Sequence, residues 1–406
     1  KWKYKLTILI LKPLILSQYM PKKLFRKTPL ALLQLMKEKI RLSVAIAGIA
    51  FADILMFFQL GMLDALFDGV AKPHQLLQAD LVLVNSQFQT LYLVKQFPRE
   101  RLFQTLAYEQ VESVLPIYIG FAQWRNPETQ INRNILVWGI DPVNPPFLPT
   151  EIKSHQSQLN QLNRILFDQG SRPEYGPMTD SFKQQGNVEI QMNDKTVDLI
   201  GLFNIGASFV TDGNVITSDS TFLNLFPDNK PDRISMGLIR LKSGASLEKI
   251  QEQLTANLPK DVKVFTPAQL AQNEINYWEA QGIGFVFGLG VMVGFIVGIV
   301  IVYQILYADV SDHLPEYATM KAMGYSDGYL LGVLIQASLL LAILGYIPGF
   351  FFSIGLYQLG YSATQLPIMM KVSRAVVVLI LTITMCAVSG AIAMNKLRSA
   401  DPADIF

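Results

Sequence analysis

The sequence is poor in charged residues and contains a single cysteine. Only 16% of its 406 residues are charged, whereas 50% are hydrophobic, and this balance excludes an ordinary soluble protein. Its single cysteine, Cys386, lies inside an apolar run, so no disulfide can form within the chain. No basic stripe with interleaved aromatic residues is present, which argues against nucleic acid as a partner. The composition therefore predicts a membrane protein.

The usual sequence signals of catalysis are also missing. No G-x-x-x-x-G-K-[ST] phosphate loop occurs, so the chain has no recognisable means of hydrolysing ATP, and any energy must come from a partner. The segment GYSDG at 324–328 matches the G-x-S-x-G nucleophile elbow. That elbow needs a strand before it, whereas a helix is predicted there, so we expect Ser326 or Asp327 to cap the next helix instead.

Metal ligands are scarce as well. The histidines are His74, His155 and His313. They lie far apart in the sequence, and none has a second ligand at metal spacing. We therefore expect no catalytic residue, no metal site and no cofactor-binding residue in this chain.

Four apolar stretches are long enough to cross a membrane as helices, which requires about 20 residues. They are 43–67, 282–307, 329–359 and 375–394. Seven lysines and arginines against Glu38 in residues 20–42 predict that the flank before the first span stays in the cytoplasm. An even number of spans then returns the tail, 395–406, to the cytoplasm and places 68–281 outside.

Residues 68–281 are long enough for a folded domain and show mixed α and β patterns. A strand, helix, strand order is predicted at 79–124 and again at 235–267. The two units indicate one split α+β module whose halves come from both ends of the segment. Between them, about 126–232 is richer in proline, glycine and asparagine, and it is predicted to be an inserted, mainly β subdomain.

The cytoplasmic loop 308–328 contains a predicted short helix over 314–324. Asp312 is a plausible N-cap, Pro315 suits the first turn, and Gly324 supplies a stop. One face carries Leu314, Tyr317, Ala318 and Lys321, with Met320 and Met323 adjacent. Glu316 suits the positive end of the helix dipole. Two interpretations stay open: a helix lying on the bilayer or the spans, or a docking element whose exposed Tyr and Met side chains fill a groove in a partner.

The spans themselves contain two notable features. Asp53 lies near the middle of the first span, where a charge is costly, so it should face protein or water and either lock the span to a neighbour or transmit force. The second span has glycines at G-x-x-x-G spacing, which lets helices approach closely. They are Gly284, Gly288, Gly290, Gly294 and Gly298. This spacing fits packing within one subunit or a seam between two copies.

The loop sequence EYATMKAMGY, 316–325, resembles the E-I-G-x-x-K-A-L-G-A segment of ABC transporter permeases of the MacB and FtsX type. Glu316, Lys321, Ala322 and Gly324 stand at matching positions, whereas Tyr317 and Ala318 replace the usual Ile-Gly pair. The layout of spans and outer domain is also similar to that family. Further stretches, including NILVWGIDP at 134–142, resemble the DevC-like subgroup of cyanobacterial exporters.

This resemblance implies an α-helical membrane protein of four spans with a large α+β periplasmic domain. It implies a cytoplasmic amphipathic helix over 20–42. Residues 1–19 contain no methionine, so we expect the natural start at Met20. It further implies a homodimer in the bacterial inner membrane, with both termini cytoplasmic. The helix at 314–324 would couple to a separate ABC ATPase, which would bind the ATP and Mg that this chain does not.

The outer domain would meet a periplasmic adaptor, or membrane fusion protein, leading to a TolC-like outer-membrane channel. DevC-like relatives resemble exporters of glycolipids, so a lipid-like substrate is implied, together with contact to membrane lipids. The alternative is an FtsX-like scaffold that uses the same motion to regulate a cell-envelope enzyme.

Overall fold

The computed structural model describes residues 39–143 and 150–398. The predicted segment 1–19, nearly all of the amphipathic helix predicted at 20–42, and the end of the tail lie outside these residues. The described chain divides into two compact units. One contains residues 39–54, 293–350 and 376–398, and the other contains 55–292 and 351–375.

Helices account for most of the first unit and part of the second. In chain order they are α1 (Lys39–Gln75), α2 (Glu100–Gln104), α3 (Thr150–Ser154), α4 (Gln156–Leu159), α5 (Met178–Gln185), α6 (Asp219–Leu225), α7 (Leu247–Asn257), α8 (Pro267–Ala280), α9 (Ile283–Asp312), α10 (Leu314–Ala322), α11 (Asp327–Thr364) and α12 (Val372–Arg398). Short 3-10 turns lie at Leu91–Leu93, Thr105–Ala107 and Pro173–Tyr175.

Four of these helices, α1, α9, α11 and α12, are long and apolar enough to cross a membrane. A helix satisfies its own backbone hydrogen bonds, which is the requirement that hydrocarbon imposes on any spanning segment. The prediction of four membrane helices, with a large mixed domain between the first and the second, is confirmed. Helices α1, α11 and α12 extend beyond both ends of the apolar stretches from which they were predicted, and α9 extends beyond the C-terminal end of its stretch, because further turns continue these helices.

Strands make up the core of the second unit. They are β1 (Leu81–Asn85), β2 (Phe97–Pro98), β3 (Val111–Arg125), β4 (Asn132–Ile140), β5 (Arg164–Asp168), β6 (Val188–Met192), β7 (Lys195–Phe203), β8 (Asn214–Ser218), β9 (Arg233–Ile234), β10 (Met236–Leu241) and β11 (Val262–Phe265). We call residues 76–282, which contain all of these strands, the sheet domain.

Within the described residues, nine strands form one sheet in the order β11-β1-β10-β3-β4-β8-β5-β7-β6. The long strand β3 holds this sheet together, because its first half pairs with β10 and its second half with β4. Its last residues also pair with β6, as in Trp124 opposite Met192, so the six strands from β3 to β6 close on themselves. Strands β2 and β9 form a separate pair.

Side chains point alternately to the two faces of a strand, and an apolar cluster lies on each face of the sheet. Leu81 and Leu83 of β1 belong to one apolar cluster, whereas Val82 and Val84 belong to the other. Continuous apolar strands of this kind require cover on both sides. The cluster that contains Val82 also contains Leu77, directly after α1, and Leu270 of α8, so this face is covered by the segments that lead to the membrane helices.

Strands β4 to β8 lie in the segment predicted as an insertion, about 126–232, and β1, β10 and β11 lie on either side of it in the sequence. The strand β3 pairs with members of both groups. The boundaries of the predicted insertion stay a prediction.

Candidate functional site

The short helix α10 joins the second and third long helices and is bounded by a turn at each end. The N-cap is His313, which makes no side-chain cap hydrogen bond, so the prediction of Asp312 as N-cap was one residue too early. At the other end Gly324 has φ +93°, and its amide donates to the Lys321 carbonyl at 2.9 Å. The amide of Tyr325 donates to the Met320 carbonyl at 3.1 Å, which completes a Schellman motif that favours glycine at this position.

Tyr317 anchors α10 in the core of its unit. The side chain is 2% exposed and packs in a cluster that also contains Val310 of α9 and Leu330 of α11. Burial, together with the carboxylates of Asp309 and Glu316, raises the pKa of Tyr317 to about 12. The docking hypothesis places Tyr317 among the exposed side chains, and this detail is wrong, because the neighbouring helices cover the ring.

The exposed side of α10 carries other residues. Met323 is 65% exposed, Glu316 is exposed, and Tyr325 follows directly and is also exposed. Leu314 and Met320 are partly buried against the same core as Tyr317. The helix therefore has a buried face that is fixed to the membrane helices of its unit and a solvent face that a partner protein could contact.

Three ion pairs lie near the ends of α10. Lys321 lies 3.2 Å from Asp327, the first residue of α11. Before α10, Asp309 and Asp312 of α9 face Arg41 of α1, with Asp309 3.9 Å from the guanidinium and Asp312 hydrogen-bonded to it. The Arg41 contacts were not predicted from the sequence, where Arg41 counted only as a positive charge before the first span. These pairs join α1 to the end of α9, and α10 to the start of α11.

Two of the five predicted packing glycines lie on an open side of α9. A Cβ atom added to Gly284 or Gly288 would meet nothing within 4 Å. Phe285, beside Gly284, is likewise exposed. These two glycines create a shallow apolar groove on α9 that the described residues leave unfilled.

The other three glycines face the chain itself. A Cβ at Gly290 would come within 2.5 Å of the Gln59 side chain, and one at Gly298 would collide with Met385. Gly294 is buried. Close approach of α9 to its neighbours thus depends on this second set of glycines.

Asp53 is fully buried at a junction of three membrane helices. The Thr382 hydroxyl of α12 donates to its Oδ1 at 2.6 Å. A Cβ at Gly349 of α11 would lie 2.9 Å from the Asp53 Cβ, so the glycine lets α11 approach α1 closely. Among the described residues, the second carboxylate oxygen has no hydrogen-bond partner. The geometry favours a packing role for Asp53, and no carboxylate or imidazole beside it continues a proton path through the described residues.

A second polar junction, further along α1 at Asp64, was not predicted from the sequence. Arg374 is almost fully buried, and its guanidinium nitrogens lie 3.1 and 2.5 Å from Asp64. The same guanidinium lies over the Tyr357 ring, 5.3 Å from the centroid, and the Tyr357 hydroxyl donates to the Phe57 carbonyl. The available signal was the opposite charge of Asp64 and Arg374 at two span ends expected on the same side of the membrane.

Among residues 39–143 and 150–398, no three His, Cys, Asp or Glu side chains come close enough to hold a metal ion. His74, at the end of α1, lies 3.3 Å from the Glu274 carboxylate of α8, and His313 lies far away in the sequence. Neither histidine lies in a metal-ligand cluster.

One family model matches the C-terminal part of the chain. Residues 283–402 match the family model of the FtsX-like permease C-terminal domain. The match covers α9 to α12 and therefore includes the short helix α10. Over this part of the chain the match agrees with the predicted resemblance to permeases of the MacB/FtsX type. The DevC-like subgroup stays a prediction.

Two solved structures are similar to part of this chain. The periplasmic region of MacB from Actinobacillus actinomycetemcomitans is 12% identical, with a TM-score of 0.34, and the match covers 49% of this chain and 94% of that one. The extracellular domain of the noncanonic ABC-type transporter YknZ from Gram-positive bacteria is also 12% identical, with a TM-score of 0.32, covering 46% of this chain and 99% of the other. No curated protein matched the sequence.

Proposed function

We propose that this chain is the permease subunit of an ABC exporter, in which α10 receives motion from a separate ATPase. One observation carries the proposal: α10 is anchored in the membrane-helix core by Tyr317 and presents Met323 and Glu316 to solvent. A partner that moves the exposed face must also move the helices in which Tyr317 is packed, because close-packed cores transmit displacement. The match of residues 283–402 to the FtsX-like permease domain supports this role.

The chain would act without chemistry of its own. Its sequence lacks a phosphate-binding loop, so ATP and Mg would be bound by the partner ATPase. Motion of α9 and α1 would pass into the sheet domain, which connects these two helices. The termini would be cytoplasmic and the sheet domain periplasmic, in a bacterial inner membrane, as the charge bias before the first span predicts.

Further parts of the proposal rest on the DevC-like resemblance. The sheet domain would meet a periplasmic adaptor and a TolC-like channel, and the substrate would be lipid-like, with a glycolipid as the implied class. The permease would be a homodimer. The open groove at Gly284 and Gly288 fits a close contact with a second copy, since small residues at this spacing let helices approach.

An FtsX-like scaffold that regulates a cell-envelope enzyme is the second candidate, because the matching family model is FtsX-like. Both functions require the same coupling through α10. They differ in whether a substrate leaves with the motion, which a transport assay in reconstituted vesicles would decide.

The coupling step is tested by purifying the full chain in nanodiscs with candidate ATPase subunits and measuring ATP hydrolysis. Met323→Asp places a charge on the exposed face of α10, and Met369→Asp makes the same change at a 69% exposed methionine in the loop between α11 and α12. Loss of a central apolar contact costs about 2 kcal/mol, so we expect Met323→Asp to weaken ATPase binding roughly 30-fold, with Met369→Asp unchanged.

The same pair of variants can also refute coupling through α10. Met320 is less suitable for this test, because it packs against the core and its substitution would affect folding as well as docking. If no ATPase binds the wild-type chain, or if Met323→Asp stimulates hydrolysis as well as Met369→Asp does, α10 is not the coupling element.

A further inference from the structure

The loop between β7 and β8 carries an exposed aromatic side chain at an unusual place. Phe209 is 40% exposed, although both residues beside it in the tip, Ser208 and Val210, are at least partly buried. The tip is a tight turn: the Ser208 amide donates to the Thr211 carbonyl at 2.8 Å, and the Ser208 hydroxyl accepts from the Val210 amide at 3.1 Å. Phe209 therefore projects from a turn whose backbone is already hydrogen-bonded.

The stem of this loop is held by a buried carboxylate. Asp168, at the end of β5, accepts from the amides of Ile205 and Gly206 at 3.1 and 2.8 Å. The Asn214 side chain donates to the same carboxylate at 2.8 Å. These hydrogen bonds fix the loop near its beginning, at Ile205 and Gly206, and at its end, at Asn214. The position of Phe209 is therefore set by the sheet.

The loop is also attached to the first membrane helix. The Lys72 ammonium donates to the Ile205 carbonyl, and a Cβ at Gly69 would lie 3.2 Å from the Ser208 Cβ. The tip therefore lies beside α1 at the level of Gly69. All of these residues belong to one compact unit.

The level of Gly69 corresponds to the headgroup layer of a bilayer. At 1.5 Å per residue the apolar stretch 43–67 is about 37 Å long, whereas the hydrocarbon core is about 30 Å thick. Each headgroup layer adds about 5–8 Å on its side of the hydrocarbon core. Gly69 lies about 3 Å beyond Phe67, the end of the apolar stretch, and therefore falls within this layer. The exposed ion pair between Asp68 and Lys371, at 2.6 Å, lies at the same level, where charged groups meet lipid headgroups and water.

We propose that Phe209 inserts into the headgroup and acyl boundary of the bilayer, so that the 204–211 loop is a lipid contact of the sheet domain. An apolar ring on a rigid turn suits this boundary, where apolar side chains on a polar scaffold bind membranes. The contact would fix the height of the sheet domain above the leaflet. The proposal depends on the four membrane helices and not on the ATPase or the transported substrate.

Depth is measured with spin labels on the full chain in phosphatidylcholine and phosphatidylglycerol nanodiscs. Cys386→Ser removes the natural cysteine, and Phe209→Cys or Gln253→Cys then provides one labelling site. Gln253 is exposed on α7, which packs on the opposite face of the sheet through Ile250 and Leu254. We expect the label at 209 to relax several-fold more with oxygen, which concentrates in lipid, than with a water-soluble nickel chelate, and the label at 253 to show the reverse.

Three results would overturn the proposal. A label at 209 that favours nickel as strongly as the label at 253 places the loop in water. Strong dipolar broadening at 209 indicates a second copy of the chain, and poor access of both relaxants indicates another protein partner.

A second variant guards against misfolding of Phe209→Cys. A photo-crosslinking phenylalanine analogue at 209 keeps the aromatic ring in an otherwise unchanged chain. Irradiation in the same nanodiscs should yield a phospholipid adduct detectable by mass spectrometry, and adducts to protein alone would contradict lipid contact.

Discussion

Glu274 of α8 provides the strongest test of how the sheet domain is joined to the first membrane helix. Its carboxylate is fully buried and accepts from the Thr90 hydroxyl, the Leu91 amide at 3.1 Å and the Trp278 indole at 3.2 Å. The His74 imidazole, at the end of α1, lies 3.3 Å away. One side chain therefore links α1, the turn at 91–93 and the helix that leads to α9.

Replacing this carboxylate should be costly, because Glu274→Ala leaves several buried donors without an acceptor. An unsatisfied buried donor costs about 1–3 kcal/mol, and water entering the vacated space would recover part of that. We expect a loss of about 3–5 kcal/mol from the free energy of opening this region, a large share of the ~5–15 kcal/mol typical of a domain. Glu279→Ala, at an exposed position of the same helix, should change stability by less than about 0.5 kcal/mol.

Hydrogen exchange on the full chain in nanodiscs measures this loss at the site. The Leu91 amide donates to Glu274, so a loss of about 3 kcal/mol should accelerate its exchange roughly 100-fold in Glu274→Ala. Peptides from β4, in the centre of the sheet, provide an internal reference. Equal exchange of Leu91 in Glu274→Ala and Glu279→Ala would refute the inference that this carboxylate joins the two helices.

Two further predictions concern the helical unit. Gly288→Leu should leave the thermal stability of the chain unchanged, because its Cβ meets nothing, but it should reduce crosslinking between copies. Gly298→Leu should instead lower the thermal stability, because the new side chain clashes with Met385. Equal crosslinking in Gly288→Leu and wild type would place the dimer contact elsewhere. The difference in ultraviolet pH titration between wild type and Tyr317→Phe should show a phenol that ionises near pH 12. The free energy of unfolding should fall by about 2–3 kcal/mol as pH rises from about 10 to 12, because the folded state keeps the phenol proton to higher pH than the unfolded state does. A titration midpoint near 10 would show that water reaches Tyr317.

Much of the architecture was accessible from the sequence, because it depends on local rules. Apolar length predicts a membrane helix, since hydrocarbon offers no partner for backbone hydrogen bonds. Gly324 was predicted to end the short helix, and its positive φ explains why. The resemblance of 316–325 to a permease loop agrees with the family match over 283–402.

The candidate site was predicted in part. The pattern placed Tyr317 on one face of the short helix with Leu314, but it could not show which helices would cover that face, and the ring is buried instead of exposed. Glycine spacing predicted close packing along α9. It could not separate Gly284 and Gly288 from the glycines that face the same chain, because that depends on which neighbours surround the helix.

The sequence by itself determined which segments enter the membrane and which form the domain between them, because hydrophobicity and helix-ending signals act over a few neighbouring residues. Tertiary structure alone decided that β3 pairs with β6, that Arg374 meets Asp64, and that the Phe209 loop lies beside Gly69. Each of these contacts joins segments that are far apart in the chain. They form only when the chain folds and brings these distant segments together, so no pattern of neighbouring residues predicts them.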